Sequence, residues 1–271
     1  IRLRKLRAAL TTLGIVIGIA AIVALLSLGE GFRVLITSQF ERGFALDVLT
    51  VTTGRGIGFT LIGDGGLSEE YLTANDTYGI NRITGVKLST AIISKSVGLS
   101  SGTRAFTITT VGINFTEYSE VFSTSFLLEN GSVPLNPAND SIILGYRIFD
   151  PWKNGTIFAN VGDYVNLTWT TGSITKPVVR YYMFHVVGVL KEIGGISLSG
   201  PSDAQVYIPI STAQVIFETD QVSQILVQLE NSEQTTINSV TDATNNLFND
   251  KVTIISPSAM LNTFSDILST V

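Results

Sequence analysis

Gly54, Gly56 and Gly58 alternate with Arg55 and Ile57, a spacing at which backbone N–H groups could cradle a phosphate. No Gly-Lys-Ser/Thr follows, and the stretch does not open directly into a helix as a dinucleotide site requires. It reads as a flexible loop. His185 is the single histidine and lies in an apolar run, 181–190, which makes it a strand residue and leaves no Ser-His-Asp set to assemble. The acidic pair Glu69/Glu70 suits the first turn of a helix, and Glu41 with Asp47 suits a solvated stalk. There is no cysteine, which excludes disulfides, thiolate chemistry and cysteine-ligated zinc. No nucleophile, base or metal cluster rises above background. The sequence therefore predicts no catalytic residue, no metal and no cofactor; a membrane-anchored enzyme would need a cluster this stretch lacks.

The strongest signal is physical. No charged residue occurs over 8–29, a run of 22 positions. As a helix that run spans about 33 Å, at about 1.5 Å per residue, enough for a hydrocarbon core of about 30 Å. Arg2, Arg4, Lys5 and Arg7 stand immediately before it. Without those four, the remaining chain holds 13 basic against 22 acidic residues, a net charge of −9. Basic flanks stay cytoplasmic, so the expectation is a cell-membrane protein with its N-terminus inside and its main domain extracellular or periplasmic. The acidity of that domain argues against a nucleic-acid partner. A cleaved signal peptide is the competing reading, but the apolar core is too long for one and 27–30 is a poor cleavage site. A first residue Ile1 in place of Met predicts that the natural N-terminus lies upstream.

Gly14 and Gly18 form a small-xxx-small pair that would let another helix approach closely. Arg2, Arg4, Lys5 and Arg7 belong to a short amphipathic helix, 1–7, on the cytoplasmic surface, facing lipid headgroups or a cytoplasmic partner. Six Asn-x-Ser/Thr sequons occur, at Asn75, Asn114, Asn130, Asn139, Asn154 and Asn166. They modestly exceed what the Asn, Ser and Thr content gives by chance and suggest surface glycosylation; that composition alone is the competing explanation.

The elements that must position these residues follow from periodicity. A helix continuous from 8 to 42 and stopped by Gly43 would project roughly 20 Å beyond the bilayer as a stalk. A strand over 47–53 and the glycine loop come next. A helix opened by Ser68 and running to Asn81 follows, then strands near 85–98 and 104–113. The stretch 115–212 is rich in Gly, Asn, Pro and Thr, with short strands at 141–144, 163–170, 178–191 and 204–208 and a small helix at 146–149. The tail returns to strand 224–230, helix 233–249 and strand 251–256. Another amphipathic helix begins at Ser258. The order is β–α–β, a β-rich insertion, then β–α–β.

The run from Lys5 to Ala20 and the Leu28-Gly29-Glu30-Gly31 that follows resemble the first transmembrane segment of MacB-type ABC transporter permeases, in the FtsX-like permease superfamily. The Gly43-to-Gly54 strand, Ile142-Ile143-Leu144-Gly145, Val161-Gly162-Asp163, the 184–190 strand and the 206–214 stretch resemble that family's extracytoplasmic core in order and spacing. The resemblance implies an α+β fold: an N-terminal transmembrane helix with stalk (1–43), an α/β porter-like subdomain in two β–α–β halves (44–114 and 213–257), a β-rich sabre-like insertion (115–212), and the start of a second stalk helix (258–271). It also implies a fragment of a four-helix permease and a homodimer or paired permease in membrane lipid. The implied driver is a cytoplasmic ABC ATPase subunit, with a mechanical signal passed across the membrane. An FtsX-like regulator of a cell-wall enzyme is the variant within that machinery. A single-pass surface adhesion or sensor protein is the reading from another class.

Overall fold

The computed structural model of the chain describes residues 2–43, 45–53, 71–173, 176–194 and 200–259. Helix α1, Arg2–Gly43, is one unbroken helix of 42 residues, about 63 Å long at the standard rise. The separate surface helix expected over 1–7 is not set apart from it. Arg, Lys, Leu and Ala are strong helix formers on both sides of Arg7, and nothing between them breaks the ladder.

After α1 come strand β1 (Val48–Thr52), the two-residue β2 (Leu72–Thr73), helix α2 (Asp76–Ile80), the long β3 (Val86–Ser101) and β4 (Arg104–Ile113). Then follow α3 (Phe115–Val121), β5 (Leu128–Gly131), β6 (Ser141–Leu144), α4 (Tyr146–Phe149), β7 (Tyr164–Ser173), β8 (Lys176–Leu190) and β9 (Gln205–Pro209). The chain continues with α5 (Ile210–Phe217), β10 (Gln221–Val222), β11 (Gln224–Leu229), α6 (Gln234–Leu247) and β12 (Thr253–Ile255).

The helix expected from Ser68 to Asn81 is corrected by this order. Its described part holds a strand, and helix starts only at Asp76. Leu72 is buried where β2 pairs with Val222 of β10. Asp76 Oδ2 accepts from both the Thr73 N–H and the Thr73 hydroxyl, at 2.7 and 2.9 Å, which turns the chain before the helix begins. Tertiary pairing outweighs local helix propensity here. Ser68, Glu69 and Glu70 lie outside the described residues.

Four strands lie in the order β12-β1-β11-β3, every neighbouring pair antiparallel. Each β–α–β half is therefore split, with a strand of the other half inserted between its two strands, the ferredoxin-like arrangement. Strands β1 and β11 are buried along their whole length. In β11, Ile225 and Val227 enter one core and Leu226 the other. A sheet covered on both faces explains why these strands read as continuous apolar runs instead of alternating ones. Helices α2 and α6 supply Ile80, Ile237 and Val240 to the first core, while α3 supplies Phe115, Tyr118 and Val121 to the second.

Strand β3 belongs to two structures. Val86 to Ile92 pair with β11, and Ile93 to Ser101 pair with β4. From β4 the pairings run to β9, β6, β8 and β7, and β7 returns to β3 through Gly98 to Ser100. Six strands thus close a ring, and closure removes the free edges an open sheet would expose. Val97, Leu99, Val165, Leu167, Phe184, Val186, Val206 and Ile208 fill the core that the ring shares with the split sheet.

Helix α5 packs on β4 through one close approach: a Cβ on Gly112 would collide with the Ala213 methyl. Gly112→Ala is expected to destabilise the domain by about 1–3 kcal/mol. Ala213→Gly removes the opposing methyl, so the double variant should lose less than the sum of the two single losses, by about 1 kcal/mol or more. Urea melts of the four proteins measure this. Strict additivity would show that the two positions do not meet.

Candidate functional site

The residues expected to act fall into two places, the apolar part of α1 and the outer surface of the domain. Over Leu10–Gly31 the helix is long and apolar enough to cross a membrane, and none of that window is buried by the rest of the chain. Leu13, Ile17, Leu25 and Leu28 are all exposed. Gly14 and Gly18 lie four residues apart on this stretch, and a Cβ added at either would meet nothing within 4 Å. The backbone here is open for close approach by another helix. Arg2, Arg4, Lys5 and Arg7 occupy the first two turns of α1; their side chains lie outside the described residues.

All six sequon asparagines are exposed. Asn75 precedes α2, Asn130 lies on β5, Asn139 in the loop before β6, and Asn166 on β7. Asn114 also has a structural task. Its Oδ1 accepts from the N–H groups of Thr116 and Glu117 at 3.1 and 3.4 Å and caps α3. Asn154 Oδ1 accepts from the Thr156 N–H at 3.0 Å.

Two of the residues weighed for chemistry, His185 and Asp47, have neighbours in the fold. His185 is half-buried in β8, its ring 5.1 Å from that of Tyr164, with Tyr164 and Ser141 as cross-strand partners. Asp47 Oδ2 accepts from Gln228 Nε2 at 3.1 Å. Residues 54–58 and the side chain of Glu41 lie outside the described residues. Among the described residues, no three His, Cys, Asp or Glu side chains gather as a metal site would require.

A cleft lined by Arg147, Lys153, Glu192, Ser202 and Asp203 is polar. Lys153 pairs with Glu192, and the buried Asp203 carboxylate accepts from the N–H groups of Ile193 and Gly194, both at 2.9 Å. These groups hold a loop in place. Beside them, Tyr207 is fully buried. Its hydroxyl accepts from the Ser202 N–H at 2.7 Å and has Gln205 Oε1 3.2 Å away. Burial raises its pKa first, and the nearby Asp203 raises it further against the lowering effect of the Ser202 hydrogen bond. Burial also raises that of Tyr118, with a smaller contribution from Tyr207. Both phenols are kept neutral as packing groups.

An exposed apolar helix joined to a split sheet and a strand ring is thus the arrangement to be placed. Against known proteins, the family described as the MacB-like periplasmic core domain matches residues 8–246. A relative, the pyoverdine export ATP-binding/permease protein PvdT of Pseudomonas fluorescens, is 25% identical over 219 residues, which is 79% of this chain and 29% of that protein. The chain spans between about a third and about a half of the length of the curated relatives it matches.

Two solved structures share the fold. The periplasmic region of MacB from Actinobacillus actinomycetemcomitans superposes with a TM-score of 0.57 at 18% identity, over 83% of this chain and 95% of that one. The extracellular domain of the ABC-type transporter YknZ from Gram-positive bacteria gives 0.53 at 21%, over 77% and 99%. With a match that begins inside the apolar helix and ends in α6, the chain belongs to the MacB-like periplasmic core domain family.

Proposed function

We propose that this chain is the first membrane-spanning helix and the extracytoplasmic core of the permease in a MacB-like ABC exporter or mechanotransmission complex. It couples ATP hydrolysis by a cytoplasmic ATPase, separate or fused, to motion of the outer domain. The observation that carries this reading is α1: a single 42-residue helix, apolar over Leu10–Gly31, that leads toward the domain without a break. A rigid element that continues out of a membrane is what mechanical coupling requires. The names of relatives with export and permease roles support the same direction.

In this reading the N-terminus is cytoplasmic, because Arg2, Arg4, Lys5 and Arg7 are held at the inner leaflet. Residues 1–43 are anchor and stalk, 44–114 and 213–257 the porter-like halves, 115–212 the sabre-like insertion, and 258–271 the start of a second stalk. The permease works as a pair, and Gly14 and Gly18 give the helix contact.

Sidedness tests this. Leu135 is 78% exposed on the loop between β5 and β6, and the chain has no cysteine. Leu135→Cys in the full-length protein, on a cysteine-free background, is expected to react with a membrane-impermeant maleimide on intact cells or spheroplasts. Labelling only after permeabilisation would place the domain inside and sink the reading.

A further inference from the structure

Two of the six sequons share a feature that the other four lack. In Trp152-Lys153-Asn154-Gly155-Thr156 and in Tyr164-Val165-Asn166-Leu167-Thr168 an aromatic residue stands two positions before the asparagine and threonine two positions after it. Both aromatics are exposed although they are large: Trp152 at 53% and Tyr164 at 58%. Neither exposure is needed by the cores.

On β7, Val165 and Leu167 point into the ring core, so Tyr164, Asn166 and Thr168 share the outer face. The register sets Asn166 directly opposite Met183 and Thr168 opposite Tyr181, and both partners are exposed. Asn166 therefore sits between Ser100 of β3 and the apolar Met183 and Tyr181 of β8, with Tyr164 beside it, one face of whose ring is turned to His185. At the other sequon, the Trp152 ring is held by the Arg104 guanidinium, 5.9 Å from its centroid, and by Phe106, 6.1 Å away. Gly155 there has a φ of +77° and so turns the exposed loop. The bond from the Thr156 N–H to Asn154 Oδ1 orients the side-chain amide on that turn.

We infer that Asn154 and Asn166 are N-glycosylated, and that the first sugar of each glycan rests its apolar face on Trp152 or on Tyr164. An exposed aromatic two residues before the acceptor gives the sugar's C–H groups a flat, electron-rich surface and removes apolar area from water. The inference rests on the outward orientation of the domain proposed above. The donor is a polyprenyl phosphate- or pyrophosphate-linked oligosaccharide, used by a membrane oligosaccharyltransferase. The asparagine Nδ2 forms a bond to the anomeric carbon and loses one proton. The bond from that carbon to the phosphate oxygen breaks, and the lipid phosphate leaves with the electron pair.

The test is peptide mass spectrometry on the full-length protein purified from the membranes of its own organism. Peptides containing Asn154 and Asn166 are expected to carry a glycan mass. That mass should vanish in Asn154→Gln or Thr156→Val for the first site and in Asn166→Gln or Thr168→Val for the second. It should persist in Thr156→Ser and Thr168→Ser, which keep the hydroxyl. An unmodified peptide at either position overturns the assignment there. If Leu135→Cys is still labelled from outside while both asparagines are bare, the glycan inference fails and the orientation stands. The aromatic contact has its own readout. Each glycan should raise the melting temperature by about 2–4 °C, and Trp152→Ala or Tyr164→Ala should erase the gain at its own site. A gain that survives the alanine shows that the sugar does not rest there.

Discussion

Tyr207→Ala is expected to destabilise the domain by about 3–5 kcal/mol, the range for removing a buried aromatic side chain. Tyr207 stands on β9 opposite Val111 of β4 and Ile143 of β6, so the loss falls where the ring turns from one pairing to the next. Its ring is 5.2 Å from Phe126 in an edge-on arrangement and 5.9 Å from Tyr118. Tyr207→Phe keeps that packing and orphans the Ser202 N–H, for a loss of about 1–3 kcal/mol. The pH dependence has a definite sign. The folded-state pKa of Tyr207 is raised, so the stability it contributes is fully present below the unfolded value of about 10 and is lost as pH rises above it. Urea melts at neutral and strongly alkaline pH should show wild type losing stability and Tyr207→Phe losing less. Tyr118, whose pKa burial also raises, contributes to the residual loss in Tyr207→Phe. Equal alkaline losses in wild type and Tyr207→Phe would contradict this assignment.

On the coupling proposed above, Val34→Pro in the full-length protein is expected to lower export by about tenfold or more while the outer domain still folds and the partner ATPase still hydrolyses ATP. Val34 lies on the part of α1 just past the apolar window, exposed and clear of the domain core. Proline there removes the hydrogen bond to the Glu30 carbonyl and kinks the helix. Val34→Ala leaves the helix straight and serves as the control. Export unchanged by Val34→Pro would remove a rigid stalk from the mechanism. A simultaneous loss of domain melting would show a folding defect instead, and the two readouts separate these cases.

What could be read from the residues depended on how locally each element is specified. Strand β6 and helix α4 were legible to the residue, because Ile142, Ile143 and Leu144 end at Gly145 and a short mixed run follows. The β11, α6 and β12 tail was legible for the same reason. Helix α3 was overlooked although its signal was present. Asn114 precedes Phe115 and Glu117 follows three positions later, which is a capping pattern, but the same Asn114-Phe115-Thr116 letters also spell a sequon. Helix α5 was hidden because Ile210, Thr212, Val215 and Ile216 are β-branched and follow directly on a strand. The ring closure has no local signal. It depends on three cross-strand pairs between β3 and β7 that lie some 68 positions apart in the chain. The Trp152 and Tyr164 spacing was visible in the letters, but only their exposure gives it meaning.

The sharing of β3 between sheet and ring has a mechanical side. A strand of 16 residues is roughly 50 Å long at about 3.3 Å per residue. It is already close to full extension, so it cannot lengthen under tension as a loop would. Ser223 ties it down at the handover: its N–H donates to the Ile92 carbonyl, and its Oγ accepts from the Ser94 N–H at 2.9 Å. A pull at Val86 therefore arrives at Ser101 with little loss, whereas a bend across the Ile92–Ser94 clasp must also disturb the apolar cores that the split sheet and the ring share. Sheet and ring thus answer a load together, through one stiff tie-bar clasped at Ser223 and embedded in the cores they share.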